Sequence, residues 1–419
     1  MVDFQTWKAT KARGLAAWAA GPASKAIADT FARFKMRAAV RRVDVGPRLI
    51  HFTIAYGRSH PIAAILAHEP DLTLALGCDP DQVTMSQTRR GVVLSAPSPE
   101  PYEVTRADLT DGRGLAIPLG VTADGWETYP LTFSDTVTNL LVVAPTRAGK
   151  TTLLRTLVYG LAVQNPARRL QLALIDLKGD DLLAEFGQLE HLRYPVATTA
   201  GDAVAILQDL ASEVERRVQG QRRPAHIFLV IDELIGLVRD REWGAAATEA
   251  LLPIITRGGG LGICTVGSTQ RADKGSLADP LIASNFTNRL VGRVANGQES
   301  ALAVGLGEAN AHRLLGAGDF IARIGGDMTR LQVAQTPSEL IARLPTWAVA
   351  PTMPARPEPE PQRGPGRPPE PIDQLDLDFI KRHASECTTL GTVQRLLGGD
   401  RLKSRTYAER VAQAAGLAF

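Results

Sequence analysis

Long apolar runs are missing from this chain of 419 residues. The best candidates, around Ile62 to Ala67 and Leu140 to Ala144, fall far short of the roughly 18 residues a membrane-spanning helix needs. Cysteine is nearly absent: Cys78, Cys264 and Cys387 are odd in number and widely spaced, which excludes a disulfide framework. The opening residues Met1-Val2-Asp3 lead into no apolar signal core, so a reduced, cytoplasmic setting is expected. A strong excess of one charge is lacking too, since the net charge is only +3. Residues 1–42 nevertheless hold nine Lys/Arg against Asp3 and Asp29, leaving 38 basic and 42 acidic residues elsewhere. Such a local block suits nucleic acid or peripheral contact with an anionic membrane, and equally a solvated helix face. With 44% hydrophobic and 22% charged residues, wholesale disorder is excluded, and the length implies two to four folded units.

Residues 24–41 space Ile27, Phe31, Phe34 and Val40 along one face among Lys25, Arg33, Lys35, Arg37 and Arg41. Residues 1–42 are therefore expected to be a basic amphipathic helical segment. Short alternating segments punctuated by Gly46-Pro47, Asp79-Pro80 and Pro97-Ser98-Pro99 predict a small α+β domain over 43–125. From 126 to 348, apolar strand-like runs alternate with helical stretches: NLLVVA, LLRTLVYGLAV, LQLALID, AVAILQDLASEVERRV and IFLVID. That order predicts an α/β domain built on a mostly parallel sheet covered on both faces. In 351–371, nine of 21 residues are proline, so 349–371 is expected to be a stiff linker, about 65 Å long at about 3.1 Å per residue. Helical periodicity resumes over 372–419.

Directly after NLLVV stands APTRAGKTT, Ala144 to Thr152, and a helical pattern follows. This is the strand, loop and helix context of a phosphate-binding P-loop. Backbone N–H groups of Pro145-Thr146-Arg147-Ala148-Gly149-Lys150, continuing to Thr151 and Thr152, would cradle the phosphates; proline supplies no N–H of its own. Lys150 would reach the β and γ phosphates of ATP, and the Thr151 hydroxyl would ligate Mg²⁺. Ala144 stands where the motif has its first glycine, which costs backbone freedom but removes no phosphate ligand. IFLVIDE, Ile227 to Glu233, supplies the second half: an apolar strand ending in two carboxylates. Asp232 would hold the hydrated magnesium and Glu233 would polarise the attacking water. Nothing suggests a nicotinamide or zinc site.

These motifs, with LIDLKGDDL, EVERR, GLGICTVGSTQRAD, LIASNFTNRLVGRV and HRLLGAGDFIARIGG in that order, resemble the FtsK/SpoIIIE family of ring-forming DNA translocases. The earlier stretches DVGPRLIHF, ILAHEPDLTLALG and GLAIPLG resemble the small domain preceding the family's motor, so the likeness spans about residues 43–340. It implies an α/β, RecA-like P-loop motor working as a homo-oligomeric ring, a hexamer, that threads double-stranded DNA. It implies that Gln270 senses the γ-phosphate, and that an arginine acts in trans. The family's arginine would fall near Gly259, where this chain offers Arg257, and Arg289 matches a second family position. Arg271 and Lys274, in QRADKGSLADP, would contact DNA phosphates, which carry no sequence information. A coupling or secretion ATPase moving single-stranded DNA or protein, and a non-translocating ATP-switched regulator, are the alternatives.

The last 48 residues divide into helical stretches near 377–387, 390–397 and 404–415, with Leu390, Val393, Leu396, Leu397, Val411, Ala414 and Leu417 as the expected core. Arg401, Lys403, Arg405 and Arg410 would surround the last helix, as in a helix-turn-helix or winged-helix DNA reader. A helical docking domain for a partner protein is the alternative.

Overall fold

The computed structural model divides the chain into two compact units, Met1–Glu358 and Pro359–Phe419. It describes all residues except 1–6, 8–10, 58–59, 80–81, 89–90, 124, 126, 179–182, 221–224, 271–283, 306–309, 358–372, 388, 390–391, 394–395, 398–404 and 418–419.

The first unit contains two sheets. In the smaller, β1 (Ala38–Val45), β2 (Leu49–Tyr56), β3 (Thr84–Thr88) and β4 (Gly91–Pro97) lie in the order β1-β2-β4-β3, all antiparallel. Helices α1 (Arg13–Trp18) and α2 (Ser24–Arg33) share its core, where Leu15, Ile27 and Phe31 join Phe52, Ile54 and Leu94. The helix expected over 24–41 stops at Arg33. Lys35 turns the chain with φ 57°, and Val40 enters β1 opposite Ile54. Beyond Phe31 the apolar residues suit the period of a strand, and Phe34 is left 45% exposed.

The larger sheet comprises β5 (Ala116–Thr122), β6 (Thr128–Thr132), β7 (Asn139–Val143), β8 (Leu170–Asp176), β9 (His226–Asp232), β10 (Ile263–Thr269), β11 (Asn288–Val291), β12 (Asp319–Ile324) and β13 (Asp327–Val333). Its order is β6-β5-β13-β12-β11-β7-β10-β9-β8. The run from β11 to β8 is parallel, and the other four strands extend it antiparallel. Burial on both faces explains the unbroken apolar sequences. Leu140 and Val142 face one core with Leu153 and Leu157 of α3 (Lys150–Gln164). Leu141 and Val143 face the other, with Leu207 of α4 (Ala200–Val218) and Leu251 of α5 (Gly244–Pro253). The division expected at 125/126 falls within the β5–β6 hairpin, and strand pairing assigns both strands to the larger sheet. Val121 and Ala334 also contribute to the core of the smaller sheet.

The expectation that 351–371 stays unpacked is corrected over its first residues. Arg356 donates to Asp202 through Nε (2.6 Å) and Nη2 (2.8 Å), and Met353 packs against the second core. A bidentate arginine–carboxylate pair pins the segment to the first turn of α4.

Within the second unit, α6 (Gln374–Arg382) and α7 (Arg405–Ala414) surround a core of Ile380, Cys387, Val393, Leu397, Ala408, Val411 and Ala412. Of the expected core, Val393, Leu397 and Val411 are buried, while Leu396 and Leu417 are partly so. Ala414 is exposed, because the buried stripe of α7 runs through Ala408, Val411 and Ala412. Leu390 lies outside the described residues. No strand that could form a wing is present among the described residues of this unit.

Candidate nucleotide site

Parallel strands bring their C-terminal ends to one edge, where open α/β sheets bind ligands. Here β7 delivers the loop Ala144–Gly149, β8 delivers Asp176 and Lys178, β9 delivers Asp232 and Glu233, and β10 delivers Thr269 and Gln270. Strand β10 lies between β7 and β9, so its end separates the loop from the carboxylates. The loop is pinned at its base, where Ala144 N–H donates to the Thr269 carbonyl (3.0 Å) and Gly292 N–H to that of Val143 (2.9 Å). Ala144 is not among the positive-φ residues, so this position needs no glycine. Gly149 does: its φ is 105°, and a Cβ there would lie 2.6 Å from Gly318 N and 2.8 Å from Gly318 Cα.

Lys150, at the first position of α3, pairs through Nζ with Asp232 Oδ1, which also accepts from Ser268 Oγ at 2.6 Å. Both members are buried, at 7% and 1% exposure. In low dielectric a lone charge is costly, so the ammonium takes this carboxylate as partner. Glu233 occupies the left-handed region (φ 64°, ψ 54°) and forms an ion pair with Lys178 Nζ at 2.9 Å. Thr269 Oγ1 donates to its other oxygen at 3.3 Å, and Thr146 Oγ1 donates to Gln270 Oε1 at 3.5 Å. Lys150, Thr146, Asp232, Glu233 and Gln270 are therefore linked at this edge through one another or their immediate neighbours. Thr151 is exposed and Thr152 half-buried on the first turn of α3.

Among the described residues, non-glycine positive φ occurs at Lys35, Arg147, Glu233 and Ala317. Three of these four belong to this edge or touch its loop, as expected where surrounding structure holds strain at a functional site. The turn Gly316-Ala317-Gly318 donates from Ala317 N–H to the Arg147 carbonyl (3.3 Å) and from Gly318 N–H to that of Ala148 (2.9 Å). Arg48 of the smaller sheet buttresses the turn, donating through Nη1 to the carbonyls of Gly316 (2.6 Å) and Ala317 (3.1 Å). Burial pushes the Arg48 guanidinium below its ordinary pKa. Arg48, Ser268 and Lys178 have no role among the expectations drawn from the sequence. The Lys in LIDLKGDDL was the one available signal, since it directly follows a strand end beside that of Asp232.

Other expected residues stand elsewhere. Arg289 is 5% exposed and donates to the carbonyls of Phe286, Leu302 and Ala303 at 2.7–3.0 Å. Burial, then the neighbouring Arg323, lowers its pKa. A guanidinium spent on its own chain's carbonyls cannot reach a neighbouring subunit's nucleotide, so the expectation for Arg289 is corrected to an internal brace. Arg257 is exposed, on the turn Ile254–Gly258, and pairs with Glu215 at 2.5 Å. Arg271, Lys274, Arg401 and Lys403 lie outside the described residues. Arg405 opens α7, and Arg410 on the same helix is half-buried. Cys264 is a core thiol pushed up to about 12 by burial and then by Asp135, which leaves it unreactive. Among the described residues no helix is long and apolar enough to cross a membrane.

Residues 104–242 match the model of the FtsK/SpoIIIE family. That match supports assigning this stretch to the FtsK/SpoIIIE family. The matched stretch is the part that carries the phosphate loop and the Asp232-Glu233 pair, and it supports an ATPase assignment. An uncharacterized FtsK-like protein of Nostoc sp. is 28% identical over 344 residues, covering 74% of this chain and 47% of the relative. The DNA translocase FtsK of Chlamydia trachomatis is 25% identical, covering 73% and 42%. The chain thus spans less than half the length of these curated relatives. In structure it is similar to the pCW3 conjugation coupling protein TcpA in its monomer form with ATPγS: TM-score 0.52, 16% identity, 76% of this chain and 96% of that one. That likeness shows a shared P-loop α/β fold.

Proposed function

We propose that this chain is an ATP-driven motor that moves double-stranded DNA through a homo-oligomeric ring, a hexamer. The convergence of Lys150, Asp232, Glu233 and Gln270 at one sheet edge carries the reading. Relatives named DNA translocase FtsK direct it to DNA.

Loop N–H groups at the start of α3 receive the phosphates of ATP. Lys150 exchanges Asp232 for the β and γ phosphates, an exchange of one anionic partner for another. Oxygen donors from Thr151 and Asp232 suit a hard cation; they would hold Mg²⁺, which would supply neutralisation of the phosphate charge. Glu233, released from Lys178, orients the attacking water and takes its proton. Gln270 registers the γ-phosphate and Thr146 is its partner in the interval. Arg257 is the arginine supplied in trans, where such groups contribute roughly 10³–10⁵ in rate. Arg271 and Lys274 contact DNA phosphates from the pore. The last unit, with Arg401, Lys403, Arg405 and Arg410, reads DNA and biases loading.

The test is hydrolysis with and without duplex DNA, combined with displacement of a protein roadblock from a linear duplex. Duplex stimulation with displacement supports a translocase. Stimulation by single strands alone would move the reading to a coupling ATPase, and stimulation without displacement to an ATP-switched regulator.

A further inference from the structure

The strand order β7-β10-β9-β8 places the two carboxylates that end β9 between a cation on either side. Asp232 meets Lys150, on the side of the phosphate loop. Glu233 is held from the opposite side, where Lys178, two residues past the end of β8, brings Nζ to 2.9 Å from its Oε2. Neighbouring strands lie about 4.8 Å apart, and β8 is the third strand from β7, so Lys178 draws the carboxylate away from the loop. The contact is charge pairing without hydrogen-bond alignment, since Oε2 is buried and has no hydrogen-bond partner. A pair of this kind is readily released.

Lys178 borders a cavity of about 370 Å³ that Thr198, Ala200, Glu233 and Asp240 also line. Asp240 is a second carboxylate on the same wall. Its Oδ1 accepts from the N–H groups of Glu242 (2.9 Å) and Trp243 (2.8 Å), which leaves Oδ2 over. Among the described residues no ion pair engages this carboxylate. Lysine carries its charge on a flexible four-carbon stem, so one ammonium shares a single cavity with two carboxylates and has two places to go.

We infer that Lys178 is a positioning residue with two partners: paired with Glu233 it withholds that carboxylate from the reaction, and paired with Asp240 it frees it. The inference rests on Glu233 being the base that activates water, and it adds what governs the availability of that base. In the step concerned, water gives a proton to Glu233 as its oxygen bonds the γ-phosphorus, and the β–γ bridging bond breaks with its electrons leaving on ADP. While Lys178 Nζ stands against Oε2 and Thr269 Oγ1 donates to Oε1 at 3.3 Å, neither oxygen is open to the water. Turnover therefore follows the share of time that Lys178 spends on Asp240.

Steady-state ATP hydrolysis by the full chain without DNA tests this, with ATPγS binding measured alongside. Lys178→Met should raise kcat about fivefold, the population change available to an ion pair whose members are 28% and 14% exposed. KM for ATP and affinity for ATPγS should not change, whereas loss of a merely structural lysine would lower kcat. Lys178→Arg keeps the charge and should bring kcat back to that of the unaltered protein. Asp240→Asn, which keeps the Oδ1 acceptor for Glu242 and Trp243, should lower kcat by a similar factor, but only while Lys178 is present. The double variant should match Lys178→Met alone. A kcat that Lys178→Met lowers or leaves unchanged, or an Asp240→Asn effect of full size in the double variant, overturns the exchange and leaves Glu233 as the base. Near-normal turnover by Glu233→Gln removes the base, and the exchange with it.

Discussion

Replacing Gly149 with alanine isolates the geometry on which the phosphate loop depends. Two costs arise at this residue. A side chain at positive φ costs roughly 1–2 kcal/mol, here at φ 105°. The new Cβ would also stand 2.6 and 2.8 Å from backbone atoms of Gly318, which cannot rotate away, and overpacking of this kind costs about 1–3 kcal/mol. The total, about 2–5 kcal/mol, is below the about 5–15 kcal/mol stability of ordinary domains, so the protein should fold. Relief then comes from the contact itself: the loop and the Gly316–Gly318 turn must part, taking Lys150 out of register. Affinity for ATPγS should fall by about a hundredfold or more, the equivalent of about 2.7 kcal/mol. Gly325→Ala is the control, because that glycine also has positive φ, at 59°, but open space around it. It should lower the melting temperature slightly and leave nucleotide affinity unchanged. Calorimetry and thermal melts on both variants decide the matter. Wild-type affinity in Gly149→Ala, with a melting temperature no lower than that of Gly325→Ala, refutes the reasoning.

Lys150→Ala should abolish tight nucleotide binding, whereas Glu233→Gln should bind normally and lose turnover by two orders of magnitude or more, on the order expected for an activating base; stopped turnover with retained ATPγS binding is the measurement. Arg257→Ala chains mixed with Lys150→Ala chains should recover hydrolysis that neither has alone, as intact halves meet at mixed interfaces; an Arg257→Ala protein of full activity shows that the arginine does not act in trans. Hydrogen bonds from Arg356 hold the Asp202 carboxyl below its ordinary pKa, against the opposing effect of burial. A depressed folded pKa adds stability above the unfolded value of about 3.9 and loses it as pH falls through the folded one. Arg356→Ala should therefore lower the melting temperature at pH 7, with the gap closing below about pH 4.

The central strands were legible because burial on both faces forces unbroken apolar runs, and Lys150 and Asp232 were legible because Asp232 ends one such strand and Lys150 closes the short loop that follows another. What escaped depended on pairings between distant segments. Val40 has the spacing of a helix face until β2 offers Ile54 as its partner. Arg289 resembles a motif arginine, and only the fold brings it to the carbonyls of Leu302 and Ala303. Arg356 sits in a proline-rich tract that composition marks as solvated, yet Asp202, 154 residues earlier, captures it. Arg48 meets Gly316 across 268 residues, a separation that no local pattern encodes.

That last contact changes what the smaller sheet is for. Arg48 stands between β1 and β2, and its two bonds go to the carbonyls of the turn whose N–H groups hold Arg147 and Ala148. Hydrogen bonds from a charged donor contribute about 1.5–3 kcal/mol each, enough to offset a strained residue at about 1–3 kcal/mol. Ala317, at φ 47°, is such a residue, and it lies in the middle of that turn. Without Arg48 the turn has a reason to relax, and Gly149 packs directly against it. Tyr102 and Glu103, from the segment after β4, line a cavity together with Thr152 of the first turn of α3. A displacement of the smaller sheet therefore reaches the phosphate loop through one arginine and one turn, without passing through the core of the larger sheet. Coupling between nucleotide state and the position of this domain requires only that the Arg48 contact has two arrangements, since the rest of the path is backbone hydrogen bonds that move together.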